Sequence, residues 1–387
     1  MTLPLNHNSI SFTNLSITKT RVSLLMNYHS EEHEIWYEFD REIETTPTLV
    51  AVALAPLCGR AFESVSFDFE IEPDVLHSIK TFTQAEVVAP KGQPSLQQEN
   101  RQNSTILSFS GGFDSVAAKA LMTKDTHLVS LDLGGWFKRE AAYFERYSPI
   151  TIKTNIRQVP DQRTALTKNN WLFMATGAIL CAKHLGASYH VFGSILGERF
   201  SFPASKRRIP LLESIGLIDV PVTAGITELG TTKIMLQTHY DEVADSLISL
   251  ANKGDRKQYY KQAMVALLAD ELGLDNPVTD FSAKWDRKIP FNRSYTTALS
   301  SLYFIAHGRL DLIEPLYDEI PTSVIEFARS LTMGFMNKVN TDFYEWTPKL
   351  IRTPLFEKLS ELELLPYTES DWAEIHEVRE FLKNWFS

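Results

Sequence analysis

Residues 105–122, TILSFSGGFDSVAAKALM, decide the fold class of this chain. The apolar run that ends at Phe109 predicts a buried strand, and residues 115–122 carry Val116, Ala117, Ala120 and Leu121 at helical spacing. Two adjacent glycines, Gly111 and Gly112, join the strand directly to this helix. A strand, a glycine turn and a helix in this order are typical of a phosphate-binding loop in an α/β protein.

The side chains of the loop suit a bound pyrophosphate and a metal ion. Glycine lets successive N–H groups approach an anion, and the helix N-terminus adds the positive end of its dipole. Ser110 and Ser115 can donate hydroxyl hydrogen bonds to phosphate oxygens, and Asp114 can hold Mg²⁺. A tight turn at the glycines with Asp114 as helix cap is the structural alternative. A Walker loop is excluded, because no G-K-[ST] follows.

Downstream of the loop, short apolar runs alternate with helical patterns as far as Phe192. This alternation predicts an α/β fold whose parallel sheet carries helices on both faces, with ligands at the carboxyl ends of the strands. The predicted elements are 105–109, 115–122, 127–133, 138–147, 150–154, 171–185 and 189–192.

The flanking regions differ in pattern. Residues 9–88 alternate apolar and polar side chains, which predicts an antiparallel sheet, although residues 48–56 form a continuous apolar run that fits a strand or a helix. Residues 89–104 have the composition of a linker. From Tyr240 onward the pattern is helical. We therefore predict a β-rich domain over 1–98, an ATP-binding α/β domain over 99–238 and a helical cap over 239–387.

The composition restricts the binding partners and the cellular compartment that we expect for this protein. The chain has 387 residues, a net charge of −10 and two cysteines, Cys58 and Cys181. This charge disfavours general nucleic-acid binding. The basic clusters, Lys206 to Arg208 and the set Lys253, Arg256, Lys257 and Lys261, are expected to be solvated faces. Two cysteines cannot build a disulfide framework or a four-cysteine zinc site. No apolar run suggests a signal peptide or a membrane span, so we expect a cytoplasmic protein.

The motif Ser110-Gly-Gly-Phe-Asp-Ser115 resembles the SGGxDS signature of the PP-loop ATP pyrophosphatases, which have a Rossmann-like, adenine nucleotide alpha-hydrolase-like fold. The resemblance implies ATP and Mg²⁺ as cofactors, activation of a substrate oxygen by adenylylation, and release of pyrophosphate. It implies catalytic roles for Asp114 and Ser115, with Asp114 as the Mg²⁺ ligand. Ser108, Ser110, Gly111 and Gly112 would join them in binding the nucleotide.

Beyond the loop, the layout is similar to the 7-cyano-7-deazaguanine synthases, which convert a carboxylate into a nitrile. The resemblance covers about residues 105–237 and implies that Asp132 and Gly193 line the nucleotide and that Lys233 is a catalytic residue that contacts the phosphates. Each segment has a plain structural alternative: a turn at Asp132, a helix cap at Asn169 or Asn170, a surface lysine at Lys233 and an exposed pair at Glu198-Arg199. The quoted segments are HLVSLDLG (127–134), NNW (169–171), YHVFGS (189–194) and GTTKI (230–234).

One departure from that branch matters. The deazaguanine synthases carry four zinc cysteines near the C-terminus, whereas no cysteine follows Lys233 here. We therefore expect no structural zinc, and amide or nitrile formation on an unidentified acceptor, either a small molecule or a protein. A thiolating enzyme is an alternative, as is a nucleotide-binding sensor or scaffold of a defence or biosynthetic operon. A homodimer is compatible with the sequence, and membrane binding is not expected.

Overall fold

A computed structural model of the protein describes residues 8–93, 103–197, 208–250, 254–278, 285 and 287–386. The chain folds into two compact units. Unit 1 takes its residues from 1–110, 124–192 and 207–220, and unit 2 takes its residues from 111–123, 193–206 and 221–387. The predicted domains, 1–98, 99–238 and 239–387, do not coincide with these two units, and they stay a prediction. Residues 94–102 of the predicted linker lie outside the described part of the chain.

A ten-stranded sheet forms the centre of unit 1, in the order β10-β9-β6-β7-β8-β3-β2-β1-β4-β5. Strands β6 to β10 pair in parallel, and β3 joins them by antiparallel pairing with β8. The α/β class with a largely parallel sheet is thus confirmed, and the topology is compatible with a Rossmann-like fold. The strands are β1 Ser9–Ile17, β2 Arg21–Tyr28, β3 Glu31–Phe39, β4 Ser64–Phe67, β5 Glu86–Val88, β6 Ser104–Ser108, β7 His127–Asp132, β8 Ile150–Thr154, β9 Ala187–Phe192 and β10 Ile218–Asp219.

The N-terminal strands follow the antiparallel expectation only in part. Strands β1, β2 and β3 pair in antiparallel fashion, whereas β4 pairs in parallel with both β1 and β5. The reason is that a helix precedes β4 and another precedes β5, and such crossovers return the chain in the same direction. These strands also continue the main sheet through β3 instead of forming a sheet of their own.

The continuous apolar run at residues 48–56 is a helix. Helix α1, Pro47–Cys58, begins after Thr46, whose hydroxyl accepts a hydrogen bond from the N–H of Leu49. All its residues after Pro47 are buried, which explains why the sequence shows no amphipathic period. The other helices of unit 1 are α2 Pro73–Thr83, α4 Lys138–Phe144, α5 Thr176–Cys181 and α6 Pro210–Glu213. The predicted helix over 171–185 is shorter, since residues 171–175 form a 3-10 turn before α5.

Within the described residues, the regular elements of unit 2 are all helices. Helix α3, Phe113–Leu121, follows the glycine loop and packs against α7, Glu228–Thr238. Helix α7 also packs against α9, Arg256–Leu272, which is buried over most of its length. The remaining helices are α8 Val243–Leu250, α10 Tyr295–Ala306, α11 Thr322–Arg329, α12 Lys349–Glu361 and α13 Glu369–Lys383. Among the described residues, no helix combines the length and the apolar character that crossing a membrane requires.

Candidate functional site

The glycine loop opens helix α3 without a side-chain cap. Gly111 has a φ of 77°, in the left-handed region that favours glycine, and Gly112 is the N-cap residue. Asp114 lies in the first turn and makes no capping hydrogen bond, so the cap alternative for this residue is wrong. The Ser115 hydroxyl donates to the Gly112 carbonyl at 2.9 Å. A glycine turn that leads directly into a helix N-terminus suits an anion.

Asp114 belongs to a polar cluster inside unit 2. Its Oδ1 atom accepts a hydrogen bond of 2.7 Å from the hydroxyl of Thr231 on α7. Burial raises the pKa of Asp114, and the negative charge of Glu228 adds to this effect. Lys261, the Thr231 hydrogen bond and Lys257 oppose the shift without cancelling it. The carboxylate is therefore held where its negative charge is poorly compensated, and a cation beside it would stabilise it.

Lys261 is the basic residue of this cluster, and it is not on a solvated face. It is only 3% exposed, and its Nζ lies 2.7 Å from Glu228 Oε1 and 5.3 Å from the centre of the Phe113 ring. Burial lowers the pKa of Lys261, but Glu228 and Asp114 together outweigh burial and raise it. A charged ammonium with three donors thus lies beside the loop helix.

The prediction that Lys261 lies on a solvated face is wrong, because α9 is buried over most of its length. The residues around it, Tyr259, Tyr260, Ala263 and Met264, are buried. This apolar surrounding is visible in the sequence and distinguishes Lys261 from a residue of a solvated basic run. In the other cluster, Arg208 pairs with Glu213 at the surface. Lys206, Arg207 and Lys253 lie outside the described residues, as do Glu198 and Arg199.

Gly193 and Ser246 fix the position of the loop within unit 2. A Cβ atom on Gly193 would lie 2.7 Å from both the Asp114 carbonyl carbon and the Ser115 nitrogen, so only glycine fits there. The Ser246 hydroxyl donates to the Gly111 carbonyl at 2.9 Å. The predicted importance of Gly193 therefore has a physical basis in this close backbone approach, while nucleotide contact by Gly193 stays a prediction.

Lys233 lies elsewhere on α7. Its Nζ donates to the Glu363 carbonyl at 3.3 Å, and the lysines whose charges act on Asp114 are Lys261 and Lys257. Lys233 is half-buried and belongs to the second turn of the helix. Its predicted contact with phosphate stays a prediction, and Lys261 is the residue that the sequence pattern missed.

In unit 1, Asp132 is the last residue of β7. Its Oδ1 atom accepts a hydrogen bond of 3.0 Å from the N–H of Gly134, which is the turn that its sequence also allows. Ser108, at the end of β6, pairs with His190 at 2.9 Å, and Ser110 is exposed. The motif is thus divided, because Ser108 and Ser110 belong to unit 1 and Gly111 to Ser115 belong to unit 2.

A cavity of about 210 Å³ lies in unit 1, next to the turn after β7. Its most ordered cation is Arg157, whose guanidinium carbon lies 4.9 Å from the Phe137 ring centre and 5.4 Å from that of Phe173. Arg157 also donates to the hydroxyl of Thr167 at 3.0 Å. Within the described part of the chain, no carboxylate lines this cavity. Its lining residues are Gly134, Phe137, Arg157, Gln158, Gln162, Arg163 and Lys168.

The cysteines and asparagines of the sequence have structural environments. Cys58 and Cys181 are fully buried, and burial raises the pKa of both thiols. The Asn169 side chain donates to the Leu57 carbonyl at 2.8 Å, and that of Asn170 caps the 3-10 turn through the N–H of Leu172. Among the described residues, no three His, Cys, Asp or Glu side chains converge as metal ligands.

Models of protein families, curated proteins and solved structures were compared with this chain, and none of them matches it.

Proposed function

We propose that this protein is an ATP-dependent, Mg²⁺-requiring enzyme that adenylylates a carboxylate or carbonyl oxygen of its acceptor, releases pyrophosphate and passes the activated group to a nitrogen nucleophile. One observation carries the proposal: the helix that follows Gly111-Gly112 begins beside the buried cluster of Asp114, Glu228 and Lys261. Such a start, with a buried ammonium and a poorly compensated carboxylate, fits a phosphate chain and its metal ion.

The charged residues of this cluster would have different roles in the reaction. ATP with Mg²⁺ supplies the adenylyl group and a leaving group of high negative charge. Asp114 would hold the cation, and Glu228 keeps Lys261 charged and oriented. The ammonium of Lys261 is then in place to stabilise negative charge on the departing pyrophosphate, in an environment where burial strengthens the interaction.

The cavity of unit 1, taken by itself, is suited to an anionic ligand. Three cations, Arg157, Arg163 and Lys168, line it together with two glutamine side chains. The rings of Phe137 and Phe173 and the hydroxyl of Thr167 restrict the Arg157 side chain before a ligand binds. This restriction lowers the entropic cost of binding a planar anion such as a carboxylate. Asp161 lies in the same loop but accepts hydrogen bonds from the N–H groups of Arg163 and Thr164, so its carboxylate is engaged locally.

The alternative functions receive less support. A thiolating enzyme needs an accessible thiolate, whereas both cysteines are buried and their thiol pKa values are raised. A nucleotide sensor would also bind ATP through Lys261, but it has no need of a carboxylate such as Asp114 to hold a metal ion that stabilises a departing pyrophosphate.

Product identity tests the proposal. The protein is incubated with ATP, Mg²⁺, ammonium and a small-molecule extract of carboxylic acids, and the nucleotide products are separated. We expect AMP and pyrophosphate, with oxygen-18 from a labelled acceptor carboxylate appearing in AMP. ADP and inorganic phosphate as the products would contradict adenylylation.

A further inference from the structure

A serine, a histidine and an aspartate lie side by side on three neighbouring strands of unit 1. Asp219 on β10 is directly opposite His190 on β9, and His190 is opposite Ile106 on β6. Ser108 is two residues beyond Ile106 and therefore points to the same face of the sheet. These residues are separated by 82 and 29 positions in the sequence, so no local motif reveals them.

Two hydrogen bonds connect the three side chains. His190 Nε2 lies 2.9 Å from Ser108 Oγ, and His190 Nδ1 lies 3.1 Å from Asp219 Oδ1. The His190 side chain is fully buried and that of Asp219 is 3% exposed, whereas Ser108 is only half-buried. In the tautomer whose Nδ1–H donates a hydrogen bond to the Asp219 carboxylate, Nε2 carries the lone pair and accepts a hydrogen bond from the serine hydroxyl.

A second serine on the same strand shows what a structural hydroxyl looks like. The Ser104 hydroxyl donates to the Leu185 carbonyl at 2.6 Å, and a carbonyl oxygen is not a base. Ser108 instead faces an imidazole nitrogen at 2.9 Å, on a ring that a buried carboxylate orients. Both distances fall in the range of a nucleophile, its base and the group that orients the base.

We propose that Ser108 is a nucleophile for acyl transfer, with His190 as its base and Asp219 as a positioning residue. The substrate class is an activated acyl group, such as an ester or an acyl phosphate. Ser108 Oγ bonds to the acyl carbon, its proton moves to His190 Nε2, and the leaving group departs with that proton. Water or an amine then attacks the acyl-serine, gives a proton to His190, and Ser108 regains it. This inference does not depend on the proposed ATP chemistry.

Diisopropyl fluorophosphate tests the proposal on the full chain without a known substrate, since it phosphorylates activated serines and releases fluoride. We expect one adduct, which peptide mass mapping places on Ser108. Asp219→Asn favours the wrong imidazole tautomer and should slow adduct formation about 100-fold or more. Ser104→Ala is the matched control and should react at the wild-type rate.

Folding is checked by thermal melting of each variant. His190→Gln should abolish the adduct, and if this variant does not fold, the Asp219→Asn rate decides. An unlabelled wild-type protein would overturn the proposal, as would a Ser108 adduct that forms at an unchanged rate in folded Asp219→Asn. Titration with ATP and Mg²⁺ is run in parallel on the same variants, so that a failure of the nucleotide site is recognised separately.

Discussion

At the scale of single residues, Lys261 carries most of the functional argument. A lysine that is 3% exposed is stable only if its charge is paired, and Glu228 at 2.7 Å provides that pairing. The ordinary explanation is a structural ion pair. Two observations favour a functional role as well. The ammonium lies over Phe113, the first residue of the loop helix, and it is electrostatically coupled to Asp114.

The first prediction separates these two roles of Lys261. The double variant Lys261→Met with Glu228→Gln removes one charge of each sign, so the opposing effects of Lys261 and Glu228 on the buried Asp114 disappear together, and the fold should persist with a melting temperature near that of the wild type. ATP affinity, measured by calorimetry with Mg²⁺, should fall about 10-fold or more because the buried ammonium is lost. Lys233→Met is the control and should bind ATP more nearly as the wild type does. Equal affinity in the double variant and the wild type would assign Lys261 to structure alone.

The second prediction concerns Asp114, whose pKa the fold raises, chiefly by burial. A carboxyl group with a raised pKa binds its proton more tightly in the folded state, so stability falls as the pH rises from the ordinary value of about 4 through the folded value. Asp114→Asn should therefore melt about 2 °C higher than the wild type at pH 8. The difference should shrink at pH 4, where the wild-type carboxyl becomes protonated.

The same variant should bind ATP with Mg²⁺ more weakly, because an amide is a poorer ligand for the cation than a carboxylate. Thermal melting at the two pH values and calorimetry give both results on one preparation. A variant that is less stable at pH 8 and binds ATP normally would show that Asp114 serves the fold.

At the scale of secondary-structure elements, the loop and its helix were predictable from sequence, since strand, glycines and helix follow one another directly. The partners of the loop were not. Thr231, Ser246 and Lys261 approach it from α7, α8 and α9, far along the chain, and the packing of these helices with α3 and with one another brings them together. Helix α1 shows the converse difficulty, because burial on all sides removes the periodicity that would identify it.

The third prediction tests the close approach of Gly193 to the start of α3. Alanine there would place Cβ 2.7 Å from backbone atoms of Asp114 and Ser115, which cannot rotate away as a side chain can. Gly193→Ala should cost about 1–3 kcal/mol of unfolding free energy and weaken ATP binding. A Cβ atom on Gly197 would have no neighbour within 4 Å, so Gly197→Ala is the matched control. Equal denaturation midpoints for the two variants would contradict this account of the loop.

At the scale of the whole molecule, the sequence predicted the α/β class but not the extent of the sheet. The N-terminal strands extend the parallel sheet because β3 pairs with β8, a contact between residues more than 110 positions apart that no local pattern indicates. The cavity around Arg157 was missed for a similar reason. Its lining comes from an irregular segment whose polar residues resemble an ordinary surface loop.

The fourth prediction applies to the purified protein as a whole. With only two cysteines, both buried, the chain should hold no stoichiometric structural zinc, and a chelator should leave its melting temperature unchanged. Elemental analysis of the protein decides this. About one zinc ion per chain would contradict the prediction and would favour a function like that of the nitrile-forming 7-cyano-7-deazaguanine synthases.

Titration of the full chain with ATP in the presence of Mg²⁺ tests the central claim most directly. A loop that grips the β- and γ-phosphates should bind ATP, and inorganic pyrophosphate should compete with it far better than AMP does. Calorimetry measures the heat of this binding without any knowledge of the acceptor. We predict saturable binding of one ATP per chain that pyrophosphate displaces, and absence of binding at millimolar ATP with Mg²⁺ present would contradict the account.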